Sequence, residues 1–188
     1  MSVAKQRTTD AKFASSPQST ALPDANGGLE PDLRLDVQLC FALYAASRLM
    51  TELYRPALLS IDLTYPQYLV MLILWECTPQ SVGDICEKLY LDNGTVTPLL
   101  KRLERKGLLS RVRDLTDERQ VNISLTRRGR RLHSAALSAI GELNCSIPFS
   151  ATQAVRLRKE LRHAVARMAS RPDTPLARAP YREAATPK

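Results

Sequence analysis

Apolar residues recur three and four apart through Leu39, Ala42, Leu43, Ala46, Leu49, Met50 and Leu53, the spacing of one face of an α-helix. Asp36 stands in place for an N-cap, and Pro56 predicts that this first helix ends or kinks there. Thr64, with Pro66 in the first turn behind it, opens a second helix through the apolar run to Trp75. Thr78-Pro79 breaks the chain. Ser81 then caps a short helix whose Val82, Ile85, Cys86 and Leu89 share a face. Leu91 to Gly94 reads as a turn, followed by a helix from Thr95 to Lys106 that Gly107 stops. Leu108 to Val112 and Val121 to Leu125 alternate as strands do, and the charged loop Arg113 to Gln120 joins them into a hairpin. Thr126 opens a helix to about Cys145, and Ser150 or Thr152 opens a last one through Leu157, Leu161, Val165 and Met168. No internal repeat is present.

Two short helices joined by a tight turn and followed by a basic hairpin describe a winged helix-turn-helix. The expected fold is mainly α, with the N- and C-terminal helices forming a dimerisation region. The second helix of the pair starts with small polar residues, Asn93, Gly94, Thr95 and Thr97, and continues past Pro98 to Lys101, Arg102 and Arg105. That order suits a helix whose first residues meet base edges in the major groove while later cations hold phosphates. The tip of the hairpin places Arg119 where a guanidinium enters a narrow minor groove. Asp117, two residues before it, is positioned to brace that guanidinium.

Charge points the same way. The chain of 188 residues carries a formal +8. Between Lys101 and Arg131 eleven Lys or Arg face four acids, which leaves +7 of that excess in one short window. A concentration of this kind is more often a nucleic-acid footprint than a solvated face. Residues 1–32 and 171–188, rich in small polar residues and proline, read as disordered tails around one domain at 33–170. The longest apolar run, Tyr68 to Trp75, is too short to cross a bilayer, and no leader-like start precedes it. Four irregularly spaced cysteines with two histidines make no zinc pattern. A cytoplasmic protein with free thiols, without cofactor, metal or membrane partner, is expected.

The stretch Arg113-Asp114-x-x-Asp117-x-Arg119, continued by Leu125-Thr126-x-x-Gly129, resembles the wing signature of the MarR family of dimeric transcriptional regulators. The likeness extends from roughly Leu35 to Leu132. It implies an arginine in the minor groove and the helix near Asn93 in the major groove. Leu39 to Arg48, Tyr54-Arg55-Pro56, Leu63 to Val70 and Thr97 to Glu104 are further similar to the organic-hydroperoxide-sensing branch of that family. In that branch the cysteine at the Cys40 position is the peroxidatic thiol, and tyrosines at the positions of Tyr54 and Tyr65 hydrogen-bond to it.

Cys40 falls near the start of its helix, where the dipole favours a thiolate, the species a peroxide oxidises. Tyr54 lies fourteen residues on, roughly 21 Å along a straight helix, but on nearly the same face. Antiparallel packing of two first helices about Ser47 would bring each Cys40 to the partner's Tyr54, with Tyr44 lining the seam. Cys77 and Cys86 read as structural, as most free cysteines are. Cys145 lies off the apolar stripe of its helix. The resemblance implies that it resolves the oxidised Cys40 as an intersubunit disulfide. The function expected is a homodimeric repressor, not an enzyme, that leaves its operator DNA when organic hydroperoxides oxidise Cys40. Two other readings stay open: a MarR-type regulator released by a small phenolic ligand, and a thiol peroxidase. Against the latter, no Arg or His stands near Cys40 to activate peroxide, and the wing would be unexplained.

Overall fold

The computed structural model describes residues 33–113, 121–143 and 147–170. A 3-10 turn, Leu35–Val37, leads into α1 (Leu39–Ser60), α2 (Tyr65–Glu76), β1 (Gln80–Ser81), α3 (Val82–Leu89) and α4 (Asn93–Arg105). β2 (Leu109–Arg113), β3 (Val121–Leu125), α5 (Arg127–Leu143) and α6 (Ala151–Ala169) follow. The helices, the helix-turn-helix pair and the hairpin appear in the expected order. The two tails, the wing tip at 114–120 and residues 144–146, Cys145 among them, lie outside the described residues.

The chain falls into two units, one ending at Ala45 and one beginning at Ala46. The described part of the first holds the 3-10 turn and the opening of α1. None of its residues is buried, and Leu33, Leu35, Val37, Leu39, Leu43 and Tyr44 all expose apolar surface. The second unit contains the core: Leu58 and Leu63, most of α2, Ile85 of α3, one face of α4, and Leu108, Leu109, Ile123 and Leu125 of the sheet. Each fully buried side chain of this size contributes about 1.5–3 kcal/mol. No single helix among the described residues is long and apolar enough to cross a membrane.

Three helices end in one device. Leu63 N–H bonds Leu58 O and Asp62 N–H bonds Leu59 O at the end of α1; Leu91 and Tyr90 bond Cys86 and Glu87 at the end of α3; Leu108 and Gly107 bond Leu103 and Glu104 at the end of α4. These are Schellman closures with a left-handed residue at Asp62, Tyr90 and Gly107. Two of them bury an apolar pair, Leu58 with Leu63 and Leu103 with Leu108.

Of the end or kink expected at Pro56, the end does not occur: α1 runs four residues further. An interior proline costs about 3 kcal/mol. Leu58, only 2% exposed, and the closure it anchors with Leu63 offset that cost. Nor does Asp36 cap α1; it lies in the 3-10 turn that precedes the helix. The turn expected at 91–94 is shorter too. Asp92 is the N-cap of α4, accepting from the Thr95 N–H at 2.9 Å, so Asn93 and Gly94 belong to the helix. β1 adds a third strand: Gln80 and Ser81 pair with Ile123 and Asn122, giving the antiparallel order β1-β3-β2.

The first turn of α5 is bolted to the corner between α4 and β2. Thr126 N–H bonds Leu108 O at 3.1 Å, the Thr126 hydroxyl donates to Gly107 O at 2.6 Å, and its oxygen accepts from Gly129 N–H at 3.0 Å. A Cβ on Gly129 would stand 2.0 Å from Leu108 O. The carbonyl is backbone and cannot yield. Gly129→Ala is therefore expected to cost about 3 kcal/mol by overpacking. Gly141→Ala, with nothing within 4 Å of its Cβ, should gain about 0.5–1 kcal/mol of helix propensity. Urea denaturation of both variants checks the contrast. Hydrogen bonds from the Thr95 hydroxyl and N–H hold the Asp92 carboxyl below the usual range. A lowered folded pKa gives stability that is present above about pH 4 and lost as pH falls through the folded value. Asp92→Asn, which caps without ionising, should accordingly show a shallower acid loss below pH 4 in thermal melts.

Candidate DNA-reading and thiol sites

α4 is divided lengthwise. Val96, Leu99, Leu100 and Leu103 are buried against α2, α3 and the sheet, while Asn93, Gly94, Thr95, Pro98, Lys101, Arg102 and Arg105 are exposed. Thr97 is half-buried at the edge of that face. The four apolar residues are what keep the polar ones outward: turning the helix would expose four aliphatic side chains.

Two of the exposed residues already have local bonds. The Thr95 hydroxyl donates to Asp92 at 2.8 Å, leaving its oxygen as an outward acceptor. Asn93 Oδ1 accepts from the Cys86 thiol at 3.2 Å, a side-chain tie across the helix-turn-helix elbow. Burial, with the Asp92 carboxylate adding to it, pushes the Cys86 thiol up, so it remains the protonated donor. Cys86 is thus structural, as expected. Cys77, read the same way, lies exposed at the C-cap of α2, its N–H bonded to Ile73 O.

In the wing, β2 and β3 pair from Leu109 opposite Leu125 to Arg113 opposite Val121. Arg113 therefore ends its strand at the side from which the tip departs. Asp117 and Arg119 lie outside the described residues. Arg111, further down β2, approaches Glu104 of α4 at 3.9 Å and tethers the hairpin to the helix.

Of the thiol residues, Cys40 is the second residue of α1 and is exposed, as is Tyr44 one turn on. In the second unit, Tyr54 from α1 and Tyr65 from α2 stand in edge-to-face contact with ring centroids 5.5 Å apart. Tyr68 joins them at 6.2 and 6.4 Å and in turn makes edge-to-face contact with Trp75, whose indole N–H donates to Gly129 O at 3.0 Å. Sequence reading singled out the pair and missed Tyr68, although its place three residues after Tyr65 puts both on one helix face. Burial raises the Tyr65 and Tyr68 hydroxyls, and the neighbouring rings add to it, so both are neutral O–H donors at physiological pH. Tyr68, Trp75 and His133 also line a cavity of about 170 Å³ between α2 and α5. That is smaller than the 300–1,000 Å³ of most small-molecule sites.

A family model described as transcriptional regulator SarA/Rot matches residues 52–135. The organic hydroperoxide resistance transcriptional regulator of Bacillus subtilis is 50% identical over 111 residues, 59% of this chain and 76% of the relative. The regulator SarZ of Staphylococcus saprophyticus is 32% identical over 72% of this chain and 93% of its own length. Among solved structures, AbfR of Staphylococcus epidermidis superposes with a TM-score of 0.63 at 36% identity, covering 73% of this chain and 95% of that one. AbfR has also been solved reduced and bound to DNA, overoxidised and bound to DNA, and with its disulfide formed. Those three match with TM-scores from 0.53 to 0.61 at 37–40% identity, over 70–72% of this chain and 93–95% of theirs. The chain belongs to the MarR family of winged helix-turn-helix transcriptional regulators, in the branch of the organic hydroperoxide resistance regulators.

Proposed function

We propose that the chain is a cytoplasmic, homodimeric repressor that binds operator DNA in its reduced state and leaves it when an organic hydroperoxide oxidises Cys40. The observation that carries this reading is the pairing of Tyr54 and Tyr65, two phenols from different helices held in ring contact at 5.5 Å. Each pair serves the Cys40 of the partner subunit. Their O–H groups donate to its thiolate, and charge-assisted bonds of that kind contribute about 1.5–3 kcal/mol. The apolar surface left bare at the start of α1 and on α6, where Val155, Leu157 and Met168 stand exposed, supports an isologous dimer.

On the DNA, the exposed face of α4 lies in the major groove, with Asn93, Gly94, Thr95, Thr97 and Pro98 toward the bases and Lys101 and Arg102 on phosphates. The wing brings Arg113 and Arg119 to the neighbouring minor groove, with Asp117 bracing Arg119.

The chemistry balances with the hydroperoxide as the sole oxidant. The Cys40 thiolate attacks the outer peroxide oxygen, the O–O bond breaks, and the products are a sulfenic acid and, after protonation, the alcohol. The thiol of the partner's Cys145 then attacks the Cys40 sulfur, forming a disulfide and releasing water. AbfR has been solved on DNA both reduced and overoxidised, which favours the disulfide, rather than oxidation of the sulfur alone, as the releasing step. The disulfide shifts the two reading helices out of register with the half-sites. The thiol is consumed once per signal and reset by cellular reductants, so the protein is no enzyme.

In a mobility-shift assay with cumene hydroperoxide, wild-type protein should leave its operator duplex. Cys40→Ser should stay bound. Cys145→Ser should neither form a covalent dimer on a non-reducing gel nor dissociate, and a covalent dimer in that variant would remove Cys145 from the scheme. Tyr54→Phe or Tyr65→Phe, each losing one donor to the thiolate, should slow oxidation of Cys40 about tenfold in stopped flow; an unchanged rate would dissociate the tyrosine pair from sensing.

A further inference from the structure

The first turn of α5 reads Arg127-Arg128-Gly129-Arg130-Arg131 and contains no acid. Four cations at the N-terminal end of a helix oppose its dipole, so they are not there for the helix. At 100° per residue they fan across an arc of about 160° centred opposite Gly129, the one residue of the turn aimed into the fold. All four are exposed, and among the described residues no carboxylate pairs with any of them. The bonds from Thr126 to Gly107 and Leu108 fix this turn beside the C-terminal end of α4, where Arg102 and Arg105 are also exposed.

We infer that these arginines form a second phosphate-binding surface, continuous with the recognition face of α4, that grips duplex DNA flanking the operator half-site. The inference rests on the DNA-binding reading above and extends it. A duplex carries one negative charge per about 1.7 Å of axis, and a planar guanidinium matches phosphate oxygens two at a time. An acidic protein would satisfy the same charges, but the bonds that fix this turn beside the C-terminal end of α4 favour the ligand proposed to lie along α4. The flanking contact reads no sequence; it adds affinity and length to the footprint.

The test uses the full chain and a duplex recovered by the wild-type protein from a random-sequence pool, then trimmed stepwise from both ends. Wild type should bind the untrimmed duplex more tightly than the trimmed one. The variant R127Q/R128Q/R131Q should lose that difference. Its slope of log affinity against log salt should fall by about 0.9 for each phosphate contact removed, while release by cumene hydroperoxide persists. The charge-matched variant R156Q/K159Q/R167Q on α6 should keep both the slope and the flank dependence. The α5 variant should melt no lower than wild type, since it removes cations from a positive helix end; should it fold poorly, Arg128→Gln alone carries the same comparison. Wild-type slope and flank dependence in the α5 variant would overturn the inference and leave an acidic protein as the partner. An equal fall in both variants would overturn it as well, reducing the effect to net charge. A wild-type protein that recovers no duplex would instead sink the repressor reading.

Discussion

The arrangement of the second unit depends on a single backbone carbonyl, that of Leu108. It accepts from Thr126 N–H at 3.1 Å and lies against Gly129 with no room for a side chain between. The N–H of the same residue closes α4 through Leu103 O. One residue therefore joins the end of the reading helix, the start of the wing and the start of α5. An added Cβ at Gly141 of the same helix meets open space; at Gly129 it meets this carbonyl. Trp75 adds a further bond to the same turn from α2. The junction between α4 and the wing is consequently held by local hydrogen bonds and one close contact, with the longer Arg111–Glu104 pair beside them.

From that corner the division of labour in α4 follows. Its buried aliphatic face is continuous with the core of α2, α3 and the sheet, and the opposite face is bare. The two ends of the helix are held differently. Asp92 caps the start through Thr95, and Gly107 ends it in a left-handed turn. Both devices are short-range, so the polar face is presented with little freedom to rotate. Preorganisation of this kind lowers the ordering cost that any partner of this face has to meet.

Much of this was legible in the chain. Periodicity, caps and chain breakers together located the six α-helices among the described residues, and the caps at Ser81 and Ser150 stand where Ser and Thr preceding apolar runs placed them. The misses have physical causes. Proline at position 56 is a strong local signal, but burial of Leu58 two residues later is a tertiary effect that local propensity does not carry. β1, two residues long, has no alternation to read and exists only because β3 offers it an edge. Asn93 and Gly94 look like a turn by type, yet the Asp92 carboxylate converts them to the first helical residues. The tyrosine pair was read by resemblance. Tyr68, which completes its ring cluster, was hidden in an apolar run where an aromatic looks like one more core residue.

The bond between Cys86 and Asn93 has a consequence for how one chain handles two kinds of message. Peroxides attack thiolates, and this sulfur is kept protonated by burial and by a neighbouring carboxylate while donating to Asn93. The elbow of the reading head is thereby slow to react with the oxidant class proposed to act on the exposed thiol of α1. Burial and a hydrogen bond keep this sulfur apart from the chemistry proposed for the other. The elbow is therefore still intact when the proposed disulfide is reduced, and the same chain can serve again.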